Sequence, residues 1–155
     1  MNEPTPASSL HEEIALTAEL IGILQEEQAH LVAADIQGLV AVTEQKSRVV
    51  SGISALTSQR YSRLAYAGFK AMEGGMRAWL DATPHDAEDD SAWAELLRLA
   101  QSVKALNNTN GILIGKHMAY NQSALNVLRG NSVTGFYGPD GQTTTGQQRR
   151  GVVVG

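Results

Sequence analysis

The chain has 155 residues and a formal charge of −4, with twelve Lys and Arg against sixteen Asp and Glu. Its basic residues are dispersed and acidic residues outnumber them, which disfavours binding to a phosphate backbone. No run approaches the roughly 18 apolar residues of a membrane span, and MNEPTPASSL lacks the basic and apolar regions of a secretory signal. With no cysteine the chain needs no oxidising compartment, so a cytoplasmic protein is expected.

Composition favours helix. There are 20 Ala and 16 Leu but 8 aromatic residues, and prolines stand only at 4, 6, 84 and 139. That leaves 77 proline-free residues from Ala7 and 54 from His85, room for long uninterrupted helices. Residues 1–8, with two prolines and small polar side chains, are expected to be disordered. Ser9 with Glu12 has the spacing of a capping box. After it Leu10, Ile14, Thr17, Ile21, Leu24, Gln28 and Leu31 alternate by four and three, the rhythm of a helix packed on another helix.

The phase breaks at Ala33-Ala34-Asp35. Asp35 is a good N-cap for a second helix carrying Leu39, Val42, Val49, Ile53 and Leu56, and so short a connection implies an antiparallel hairpin. Lys46 and Arg60 fall on that second seam, where the simple expectation is an aliphatic stem on apolar surface with its charge in water. Residues 68–80 are expected to form a short helix weakened by Gly74-Gly75. Asp81–Asp90 reads as a polar loop, its acidic cluster lacking the spacing of a calcium loop.

The last helix is expected from about Ala92 to Arg129. Leu96, Leu99, Val103, Leu106, Asn110, Leu113, His117, Tyr120, Ala124 and Val127 make one stripe, which can fill the seam against the hairpin. Ile114, Met118, Leu125 and Leu128, with Asn121 among them, make a second stripe turned by about 100°. A helix apolar on two adjacent faces either enters a deeper core or offers one face to a partner. Gly111 and Gly115 would permit close helix approach, in the bundle or with a partner. From Gly130 onward seven glycines and no periodicity suggest a tail, in which Phe136-Tyr137 either dock on the bundle or wait for a partner.

The expected architecture is therefore all-α: an antiparallel hairpin, a short helix and a long C-terminal helix in a coiled-coil-like bundle. Residues 1–8 lead, 9–130 form the bundle and 131–155 the tail. No two histidines have the i, i+4 spacing of a helical metal site, and His117 on the packing stripe suits a hydrogen-bonded core position. No nucleophile elbow, P-loop or zinc motif occurs, so neither an enzyme nor a cofactor is expected. Asn107, Asn108, Asn110 and Asn121 instead suggest specific amide hydrogen bonds, fixing helix register or meeting a bound segment. A structural or homo-oligomeric coiled coil is the competing reading of the same stripes.

Three motif blocks carry a family resemblance: Leu106-Asn107-x-x-Asn110-Gly111-x-Leu113, Asn121-Gln122-x-Ala124-Leu125-x-Val127-Leu128 and Tyr137-Gly-x-Asp-Gly-Gln142. With Glu26 or Glu27, Asp35, Glu44-x-Lys46 and Arg60 upstream, the chain resembles the FlgN-type flagellar export chaperones over about residues 10–142. The match is weak over 65–95, and Pro139 departs from the commoner small residue. The resemblance implies a cytoplasmic chaperone of the flagellar type III secretion system. Such a protein binds C-terminal helices of hook-filament junction (hook-associated) proteins, prevents premature assembly and delivers them to the cytoplasmic domain of the export gate.

Carried onto matching positions, the resemblance points to Asn107, Asn110, Gly111, Asn121, Leu125 and Leu128 for cargo. Ile114 and Met118 join them from the spare face. Tyr137, Gly138, Asp140 and Gly141, with the adjacent Phe136, are implied for the gate.

Overall fold

The computed structural model describes residues 3–133, with side chains to 130. The described residues form four helices and no strand: α1 Leu10–Ala33, α2 Ile36–Tyr66, α3 Glu73–Ala82 and α4 Ala87–Val133. The chain divides into two compact units, residues 1–113 and 114–155.

The first unit is built on the hairpin. Two ion pairs fix its direction and register: Glu13 of α1 pairs with Arg60 of α2, and Glu27 with Lys46. Fourteen residues forward on α1 correspond to fourteen backward on α2; that is two heptads, about 21 Å at 1.5 Å per residue. The buried positions of α1 include Leu10, Glu13, Thr17, Leu20, Leu24, Glu27 and Leu31, a strict three-four alternation. Leu10, Thr17, Leu24 and Leu31 are as the sequence indicates. The intervening positions are not Ile14, Ile21 and Gln28, which flank the seam half-buried, but Glu13, Leu20 and Glu27. Glutamates occupy that row because each meets a cation from α2, the buried Arg60 or the half-buried Lys46.

Two similar caps close the hairpin helices. At the end of α1 the N–H of Ala34 donates to Leu31 O and that of Asp35 to His30 O; at the end of α2 Gly68 donates to Ala65 O and Phe69 to Leu64 O. Each cap places one residue in the left-handed region, Gly68 at φ +89° and Ala34 at φ +54°. Glycine is comfortable there and alanine is not. Ala34→Gly is therefore expected to stabilise the fold by about 0.5–1 kcal/mol, measured as a higher denaturant midpoint at unchanged m-value. Asp35 then caps α2 as expected, its carboxylate accepting from Gly38 N–H at 3.0 Å.

Several local boundaries differ from expectation. Residues 3–8 are not disordered: Thr5 N–H donates to Ser8 Oγ, and Ala7 is buried with Leu10, Leu64, Trp79 and Trp93. Ser9 makes no side-chain cap; its hydroxyl donates to Glu13 Oε1 at 2.9 Å, serving the buried carboxylate instead. Gly68 ends α2 rather than opening α3, and Gly74-Gly75 lie in the first turn of α3 without breaking it. Gly75 is required there, since a Cβ would collide with the Lys70 carbonyl. Met76, Trp79 and Leu80 bury the inner face of this helix.

The expected loop 81–90 shrinks to residues 83–86, because Ala87–Asp90 already belong to α4. Glu88, Asp89 and Asp90 occupy its first turn, where carboxylates meet the positive end of the helix dipole. His85 fastens the connection. Nδ1 lies 2.8 Å from Thr83 O and Nε2 2.6 Å from Asp90 Oδ2, so both ring nitrogens face acceptors and both donate in the imidazolium form.

The Thr83 carbonyl first and Asp90 second raise the His85 pKa above its ordinary value, while His85 lowers that of Asp90. A raised histidine pKa gives stability fully present below the unfolded value near 6.5, lost as pH rises through the folded value. The melting temperature of wild type should thus fall toward that of His85→Gln as pH rises above about 6.5.

Candidate partner-binding site

Within the first unit, two polar clusters tie α4 to the hairpin. In one, Arg60 Nε lies 3.0 Å from Glu13 Oε1 and Nη2 3.0 Å from Oε2, a two-pronged contact; Thr57 Oγ1 donates to Oε2 at 3.4 Å. The Trp93 ring of α4 lies 4.9 Å from the Arg60 guanidinium carbon and the Tyr61 ring 5.2 Å from it. Glu13 is 1 % exposed and Arg60 is buried, correcting the expectation that this guanidinium sits in water. The planar cation suits the place because it can grip a carboxylate along its edge and stack on rings across its faces.

In the second cluster Lys46 Nζ lies 3.0 Å from Glu27 Oε2 and 3.4 Å from Asn107 Oδ1. Lys46 is therefore also paired rather than merely snorkelling. Asn110, 1 % exposed, donates one amide hydrogen to Leu24 O at 2.9 Å and the other to Glu27 Oε1 at 2.8 Å. A substitution that removed this amide would leave a backbone carbonyl and a carboxylate short of a partner deep in the seam.

The sequence-indicated cargo residues thus separate. Asn110 lies inside the bundle as a register clamp, and Asn107 reaches Lys46 at its edge. Gly111 is exposed, and a Cβ added to it or to Gly115 would meet nothing within 4 Å, so neither glycine is needed for packing.

Ile114, Met118, Asn121, Leu125 and Leu128 are all exposed, Met118 at 66 % and Leu128 at 65 %. They recur at spacings of four, three, four and three along one helix, as the anchors of a packing seam do. The neighbouring stripe does not fill a seam beyond Asn110 as expected: Leu113 and His117 are half-buried, while Tyr120 and Val127 are exposed.

A smaller apolar patch, Val32, Ile36 and Val40, is exposed at the hairpin turn. Phe136, Tyr137, Gly138, Asp140 and Gly141 lie outside the described residues. Among the described residues no group of three His, Cys, Asp or Glu could hold a metal ion, and no helix is long and apolar enough to cross a membrane.

The model of the FlgN protein family matches residues 1–145. The chain belongs to the FlgN family. The flagella synthesis protein FlgN of Yersinia enterocolitica is 29 % identical over 136 residues, 86 % of each chain. That of Proteus mirabilis is 30 % identical over 125 residues, 79 % of each. The FlgN of Escherichia coli K12 is 26 % identical over 141 residues, 90 % of each. No solved structure matches. FlgN membership supports a flagellar role. It also gives the long α4 a context: a FlgN chain whose longest helix leaves an apolar row in solvent.

The two buried carboxylates are what sequence reasoning missed. A usable signal was present: Glu13 and Glu27, like Arg60 and Lys46, are fourteen apart. In an antiparallel hairpin such a pattern aligns both pairs at once.

Proposed function

We propose that this protein is a non-catalytic, cytoplasmic export chaperone of the flagellar type III secretion system. Its α4 face, Ile114, Met118, Asn121, Leu125 and Leu128, receives the C-terminal helices of hook-filament junction proteins. The observation that carries the reading is the exposed apolar row at seam spacing in a FlgN-family chain. An amphipathic cargo helix supplies the complementary row. Burying roughly 500 Å² of apolar surface contributes about 12 kcal/mol, much of it offset by ordering the cargo and losing translational freedom. The resulting reversible affinity suits a factor that must release what it carries.

Asn107 and Asn110 support this face from the bundle side, while the exposed Gly111 stands three residues before Ile114 on the same row. Asn110 and Asn107 fix the register of α4 on the hairpin, so their contribution to cargo affinity is indirect. The segment containing Phe136, Tyr137, Gly138, Asp140 and Gly141 is assigned to docking at the cytoplasmic domain of the export gate. No cofactor takes part in the mechanism.

Copurification of the protein with C-terminal segments of junction proteins from the same bacterium tests the reading. A stoichiometric complex is expected; a tight homodimer that occludes residues 114–128 and excludes every segment would favour the structural coiled coil instead. Tyr137→Ala is expected to keep cargo binding and to reduce gate binding and export at least tenfold, measured by pull-down and by secreted junction protein. Normal export would remove the tail from the mechanism.

A further inference from the structure

We propose that Gly111 and Gly115 form a hinge in α4 immediately beyond the Asn110 clamp. Asn110 is the last fully buried residue described on this helix, and both of its amide hydrogens are engaged by α1. The next residue is Gly111.

Neither glycine is explained by conformation or packing. Neither has a positive φ, and a Cβ at either position meets nothing within 4 Å. This sets them apart from Gly68, which sits at φ +89°, and Gly75, which the Lys70 carbonyl crowds. Each glycine instead lowers local helix population about fivefold relative to alanine.

The position of the pair supplies the remaining observation. The boundary between the two compact units falls between Leu113 and Ile114, inside the stretch the glycines bracket. Helices bend at identifiable weak points, and two glycines one turn apart make one. Anchored on one side by Asn110 and weakened directly after it, α4 can reorient its exposed face while the hairpin register stays fixed. The hinge does not depend on what that face binds, so its test requires no partner.

The protein has no cysteine, so labels can be placed cleanly. Spin labels on Ser51→Cys and Ser123→Cys, both exposed sites, give a distance distribution in the full chain. A reference pair on Ser51→Cys and Ser91→Cys stays within the first unit.

The distribution to residue 123 is expected to be broader than the reference and to narrow to its width in Gly111→Ala/Gly115→Ala. Gly22→Ala, another helical glycine with nothing within 4 Å, should leave it broad. Amide exchange from Ile112 to Lys116 should slow about twenty-five-fold in the double variant, two fivefold effects combined. A wild-type distribution as narrow as the reference, or a width unchanged by the double substitution, would overturn the hinge.

Discussion

Arg60→Met is expected to destabilise the protein by about 3–5 kcal/mol, lowering its melting temperature by roughly 10–20 °C at pH 7. The methionine replaces much of the aliphatic volume but withdraws the two-pronged contact to Glu13, a carboxylate 1 % exposed. Ser9 and Thr57 still donate to it, yet neutral hydroxyls cannot offset a buried charge.

Glu13→Leu/Arg60→Met removes both charges and should recover most of the loss, ending within about 2 kcal/mol of wild type. Denaturant midpoints of the single and double variants measure the effect. Equal loss in the two would mean that shape, not the stranded charge, dominates at this position.

Leu125→Glu is expected to weaken cargo binding at least a hundredfold while leaving the helical circular dichroism spectrum and melting temperature close to wild type. The asymmetry follows from exposure. Leu125 already faces solvent, so a charge there costs the free protein almost nothing, whereas in the complex it must be desolvated against an apolar cargo face. About 3 kcal/mol of lost transfer energy and desolvation corresponds to a hundredfold or more at 1.4 kcal/mol per tenfold. Titration of a junction-protein C-terminal segment into both proteins reads the change, and unchanged affinity would remove Leu125 from the interface.

Much of the architecture was legible from spacing. Leu10, Thr17, Leu24 and Leu31 mark one row of the α1 seam, and Asp35 caps α2, because apolar periodicity and capping are local properties. The other row was hidden because Glu13 and Glu27 look solvent-facing until α2 supplies Arg60 and Lys46. Burial of a charge is a property of the pair, not of either residue alone.

The same reason separates the asparagines. Asn110 and Asn121 share a residue type, yet one is held by Leu24 and Glu27 while the other is exposed. The helix α4 starts at Ala87 rather than near Ala92 because acidic side chains read as loop by polarity, whereas the dipole of the helix they open favours them. The spare apolar stripe was visible in sequence; that its neighbour is also exposed from Tyr120 onward required the observed burial.

The most direct test of the central claim is an amide-exchange footprint of the protein with and without a junction-protein C-terminal segment. Cargo docked on the proposed face should protect residues 114–128 of α4 and leave the hairpin turn around Val32, Ile36 and Val40 unchanged. Protection at the hairpin turn with none along 114–128 would contradict the account.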